Sequence, residues 1–111
     1  MSRNLSFQDV EKKYHTAREC ILSNISSINN PIYPSHAAWI DIPTMARWLY
    51  GSSKEFLEDY KRTSARLAPR QEEQNCLINL WENELCLLLG TAQEAIRRKY
   101  SQCPEIMEAL K

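Results

Sequence analysis

From Phe7 onward the apolar positions fall at Phe7, Val10, Tyr14, Ala17, Ile21, Ile25 and Ile28, in steps of three and four with polar residues between them. That period predicts an amphipathic helix from Phe7 to Ile28. Ser6 supplies its N-cap and Asp9 an acid in its first turn. The stripe is narrow, so the helix must lie against at least one other. Read as a coiled-coil seam, it places Asn24 at one inward position, where a single polar group sets register, with Ile21 beside it. Ile21 and Asn24 are therefore expected in a homodimer or partner interface.

The pattern breaks between Asn29 and Pro43, where Pro31, Pro34 and Pro43 share a segment with Ile32, Tyr33, Trp39, Ile40 and Ile42. Proline removes backbone donors and biases the preceding residue toward extended geometry. The segment is too proline-rich for regular structure and too apolar for a solvated linker. It is also longer than a helix connection normally needs. Tyr33 and Trp39 are expected to anchor a recognition surface there, with Tyr50 nearby, because aromatic side chains with polar tips bury area at little entropic cost.

Pro43 to Tyr50 reads as a short helix stopped by Gly51, after which Ser52-Ser53-Lys54-Glu55 forms a capping box for a further helix carrying Phe56, Leu57, Tyr60, Ser64 and Leu67. A third long helix starts near Pro69 with Glu72 and Glu73 in its first turn. Leu77, Leu80, Trp81, Leu85, Leu88 and Leu89 mark its expected buried side, and Cys76, Ile78, Cys86 and Leu87 widen it. Glu84 is the one charged residue where the period asks for an apolar one. Gly90 followed by a Thr91 to Glu94 capping box leaves two courses open, a turn at Gly90 or one helix through to about Tyr100. Cys103-Pro104-Glu105 opens a last short helix with Ile106, Met107 and Leu110. Trp48 and Trp81 each fall on the apolar side of a predicted helix and are expected in the core. The chain therefore reads as all-α, one domain over residues 1–111, a bundle of four to five helices with a long proline-containing connection after the first.

Composition narrows the chemistry. Two glycines in 111 residues leave β-hairpins without turn residues and exclude phosphate-binding glycine loops. Fourteen Lys and Arg balance 14 Asp and Glu, so no bulk basic charge points to nucleic acid. The longest apolar run, Leu85 to Leu89, is far short of the roughly 18 residues that span a bilayer. The amino terminus turns charged at Asp9 before a signal-peptide core could form. A cytoplasmic protein with reduced thiols is expected, since Cys20, Cys76, Cys86 and Cys103 contain no C-x-x-C pair.

His15 together with Arg47-Trp48-Leu49-Tyr50-Gly51 resembles part of the chemoreceptor zinc-binding domain family, helical bundles with an early His and a later Trp-Leu-Tyr-Gly. The family pattern also has a Cys shortly before that Trp and a later pair of His. Here Pro43 and Thr44 stand where the Cys would fall, and no His follows His36, so no metal and no cofactor are expected. His15 and Cys20 also point roughly 140° apart on their helix. His36 with Asp41 is the only His and carboxylate pair within one short segment. Without a nucleophile elbow or an activated Cys, no enzymatic activity is expected. Arg97, Arg98 and Lys99 form a basic helix end that would suit a nucleic-acid-associated regulator, the alternative reading, with a small metal-binding or enzymatic bundle centred on His15 or His36 as a third. Acids at helix starts and bases at helix ends also simply complement helix dipoles. The preferred expectation is a protein that binds another protein, as adaptor, inhibitor or assembly subunit, and associates with itself.

Overall fold

A computed structural model describes residues 5–29, 42–67 and 71–110. The proline-containing connection, with Tyr33, His36 and Trp39, lies outside the described residues. Four helices follow in order: α1 (Phe7–Asn29), α2 (Ile42–Ala65), α3 (Glu72–Tyr100) and α4 (Pro104–Ala109). The described residues contain no strand, and no described helix is long and apolar enough to cross a membrane.

α1 begins as its sequence dictates. The Ser6 backbone N–H donates to the Asp9 carboxylate at 2.8 Å and the Asp9 N–H to Ser6 Oγ at 3.3 Å, a reciprocal capping box. Its buried face is the stripe Val10, Tyr14, Ala17, Ile21, Asn24 and Ile28.

α2 corrects the expected break at Gly51. One helix runs through that glycine, with no positive φ and therefore without the left-handed conformation of a glycine C-cap. The reason is tertiary. Ala46, Ser53, Leu57 and Tyr60 keep one buried phase across Gly51, so the helix gains packing by continuing that a turn would forfeit. Ser53, expected in the first turn of a new helix capped by Ser52, is instead buried mid-helix, donating to the Leu49 carbonyl at 2.9 Å. α3 likewise passes through Gly90 to Tyr100, which decides between the two courses left open.

The three long helices run up, down and up. Lys13 pairs with Asp59 at 2.9 Å near the start of α1, and further along Asn24 Nδ2 donates to Ser53 Oγ and the Leu49 carbonyl at 2.9 and 3.0 Å, which makes α1 and α2 antiparallel. Tyr14 stacks on Trp81 while Ile28 meets Lys99, so α1 and α3 are parallel. Two apolar clusters form along this bundle. Val10, Tyr14, Ala17, Ile21, Leu57, Tyr60, Ile78 and Leu85 fill one half. Ile28, Ala46, Ala92 and Ile96 fill the other, closed by Ile106 and Leu110 around α4. Buried Tyr60 donates to the Ile78 carbonyl at 2.7 Å and ties α2 to α3, and Gln93 Nε2 donates to the Leu110 carbonyl at 2.8 Å and ties the end of α4 to α3.

Neither glycine needs to be a glycine, since a Cβ added at Gly51 or Gly90 meets nothing within 4 Å. Glycine in a helix interior costs about 1 kcal/mol relative to alanine. Gly51→Ala and Gly90→Ala are each expected to raise the melting temperature by about 4 °C, measured by circular dichroism. Ile21 is fully buried within the chain. Ile21→Ala is expected to cost about 2 to 5 kcal/mol of folding stability while leaving the mass in solution unchanged, in denaturant titration and light scattering respectively.

Candidate functional site

The α1 stripe is consumed inside the chain. Ile21 lies in the core, and Asn24 spends its amide on α2, where a buried polar contact fixes helix register within one molecule. Both residues, expected at a partner interface, make these contacts within the chain. Cys20 joins the same seam, 3.7 Å from Ser52 Oγ. Tyr50 packs, half-buried, against the second apolar cluster.

The basic end of α3 is also largely occupied. Lys99 Nζ donates to the carbonyls of Ile28 and Asn29 at 2.8 and 3.3 Å. α1 has no basic residue in its own last turn, so Lys99 supplies from a neighbouring helix the cation that the dipole of α1 favours there. Arg98 pairs with Glu94 one turn back at 3.3 Å. Arg97 is exposed. Among the described residues no three His, Cys, Asp or Glu side chains converge as metal ligands, and His15 is exposed.

Glu84, the charged residue out of phase in the sequence, has a definite role. It accepts hydrogen bonds from the Tyr14 hydroxyl and from Arg18 Nε, the latter at 3.2 Å. Beside it the Trp81 ring is sandwiched between Phe7 and Tyr14, at centroid distances of 5.4 and 5.0 Å. This assembly locks α1 to α3 through an aromatic stack with a charged rim. The Tyr14 hydrogen bond, with help from Arg18, lowers the Glu84 carboxyl below its ordinary value. Burial, reinforced by the neighbouring carboxylate, raises the Tyr14 phenol above its own.

What the fold leaves outside is apolar to an unusual degree on α3. Leu77, Leu80 and Leu87 are exposed by 41%, 62% and 74%. Ile78 and Leu85 take the core positions instead, which corrects the expected buried placement of Leu77 and Leu80. Cys76, Cys86 and Leu87, expected to widen the buried side, face outward as well. The exposed row runs Glu73, Leu77, Leu80, Glu84, Leu87, Thr91, Glu94 and Arg98, alternating steps of four and three. That is the spacing of a helix–helix seam, on a side of α3 that α2 does not cover. Thr91 turns its hydroxyl inward to the Leu87 carbonyl at 3.0 Å. Leu22, 36% exposed, lies one turn beyond Arg18 on α1, as Leu87 lies one turn beyond Glu84 on α3, so the parallel helices bring both to one level. On α2, Trp48 is 71% exposed rather than in the core, beside Gly51, Ser52 and Glu55.

Sequence periodicity hid this row. α3 is apolar on several sides, and only the positions of α1 and α2 decide which of those sides is covered. The one available signal was surplus: more leucines than a single stripe can bury.

A carboxyl whose pKa is lowered by folding contributes stability that is present above its ordinary value of 4.5 and lost as pH falls through the lower, folded-state value. The melting temperature should therefore fall as pH drops from 5 to 3 by roughly a larger amount in the wild type than in Glu84→Gln, which removes this titration. Equal slopes in differential scanning calorimetry would contradict that assignment. Compared with known proteins, the chain matches no family model, no curated protein and no solved structure, so the functional reading rests on its own geometry.

Proposed function

We propose that this protein works by binding another protein, as an adaptor, inhibitor or assembly subunit, and that it does so through the exposed leucine row of α3. The observation that carries this reading is the exposure of Leu77, Leu80 and Leu87 along one line of a helix whose opposite side is buried. One exposed leucine is ordinary. Three on one line of a helix are the kind of exposed apolar grouping that marks an interaction site.

Burying a leucine is worth about 1.5 to 3 kcal/mol, and the three together forgo that gain in the isolated chain. Anchors at steps of three and seven are the pattern by which a helix engages a groove or a second helix. Trp48 offers a separate large anchor on α2. Tryptophan on an exposed face, lining a shallow pocket with Gly51, Ser52 and Glu55, is the type of residue that dominates binding energy when covered. The nucleic-acid alternative loses support because Lys99 is turned onto the Ile28 and Asn29 carbonyls of α1, which leaves Arg97 and Arg98 of the three basic residues facing outward.

The test is a Leu80→Glu/Leu87→Glu variant compared with wild type for cross-linked partners recovered from its native cells. The substitutions lie at exposed positions, so folding stability should change by only about 0.5 kcal/mol. Partners held by the wild type, further copies of the chain included, should be lost. Full retention of those partners by a folded variant would refute the reading.

A further inference from the structure

The exposed row of α3 is polar in a directional way. Acids, Glu72 and Glu73, stand at its amino-terminal end, the leucines occupy the middle around the engaged Glu84, and Arg97 and Arg98 stand at its carboxy-terminal end with Glu94 as the one acid beside them. Such a strip is complementary to itself when turned end for end. From these observations we infer that the occupant of the row is a second copy of this chain, with the two α3 helices paired antiparallel about a two-fold axis. This inference rests on the binding role given to the row above.

Three features carry it. The first is charge. Antiparallel pairing brings Glu73 opposite Arg98 of the partner subunit, and the two-fold axis repeats that contact at the other end. Parallel pairing would set acid against acid and base against base, so orientation follows from electrostatics even where each exposed pair contributes little.

The second feature is the centre of the row. Glu84 would interrupt an apolar contact were its carboxylate directed outward. Both carboxylate oxygens are instead engaged by Tyr14 and Arg18 of the same molecule, and the charge is balanced there. Leu80 and Leu87 thus flank a neutralised position. In the register that pairs the ends, Leu87 meets Glu84 of the partner subunit and Leu77 meets Glu94 of the partner subunit, while Leu80 meets Thr91 of the partner subunit, a small residue whose hydroxyl is already satisfied within its own helix. The close approach that a helix–helix seam needs is available at that point.

The third feature is size. α3 has 29 residues and is therefore about 43 Å long. A contact strip about 10 Å wide along it buries roughly 400 Å² on each copy, or about 800 Å² in total, which belongs with weak, reversible interfaces rather than permanent dimers. The dissociation constant is expected in the micromolar range, so that the protein moves between monomer and dimer as its concentration changes.

Sedimentation equilibrium of the full chain across about 1 to 500 µM tests this, that range bracketing what an interface of such area supports. The wild type should show a monomer–dimer equilibrium, and Leu80→Glu should weaken it by about 30-fold or more, the scale of one hot-spot side chain. Glu73→Arg and Arg98→Glu should each weaken it several-fold, while the double exchange should restore it to roughly the wild-type value, since complementary charge is regained at both ends. A wild type that stays monomeric throughout overturns the self-pairing, while the Leu80→Glu/Leu87→Glu comparison still decides the binding role separately. A dimer indifferent to Leu80→Glu places the interface elsewhere and overturns it too. A dimer weakened by both single exchanges but not restored by the double one overturns the antiparallel arrangement. The exchanges lie at exposed positions, and a thermal melt of each variant verifies that loss of dimer is not loss of fold.

Discussion

Two parallel helices side by side bring like ends of their dipoles together, and the contact between α1 and α3 is organised around that constraint. At the carboxy-terminal level Lys99 reaches across to the Ile28 and Asn29 carbonyls, placing a cation where two negative ends would otherwise adjoin. At the amino-terminal level each helix carries its own acids, Asp9 in α1 and Glu72 and Glu73 in α3. Between these levels Arg18, Glu84 and Tyr14 form a polar bridge beside the Phe7, Trp81 and Tyr14 ring stack. The parallel pair is thereby fixed in register at two heights, and the remaining packing is built on that frame.

α2 closes the frame from one side. It runs antiparallel to both neighbours, so its dipole opposes theirs, and it is tied by a buried polar seam to α1 and by the Tyr60 hydroxyl to α3. The seam explains why the helix can contain Gly51 without stopping. Asn24 needs the Leu49 carbonyl and the Ser53 hydroxyl on adjacent turns of one continuous helix, and a turn at Gly51 would separate them. Partly satisfied, such a network is worse than an apolar contact; fully satisfied, it specifies one register.

Because α1 faces α3 with its aromatic and polar flank, the outer flank of α3 is not covered by the other described helices. The leucines there contribute nothing to the two internal clusters. The same helix that supplies core residues to both clusters therefore carries the surface proposed for binding. Core geometry and binding geometry are coupled through Glu84, which belongs to the row by position and to the α1–α3 bridge by contact.

Much of the fold was legible as local pattern. The stripe of α1 and its Ser6 cap depend on residues three and four apart, and Glu84 stood out as the one charged residue where the period asks for an apolar one. The all-helical class and the last short helix followed from the same kind of signal. Three decisions were not local. Periodicity says which face of α1 is buried and not whose helix covers it, so Ile21 and Asn24 could be read as facing a partner when they face α2 and α3. A glycine inside a helix and a glycine ending one look alike until the packing on either side of Gly51 and Gly90 is known. On α3, where apolar residues occupy more than one side, the sequence by itself determined an amphipathic helix with leucines to spare. Only the tertiary structure decided that Ile78 and Leu85 turn inward and Leu77, Leu80 and Leu87 outward, because a helix has no inside until its neighbours occupy it.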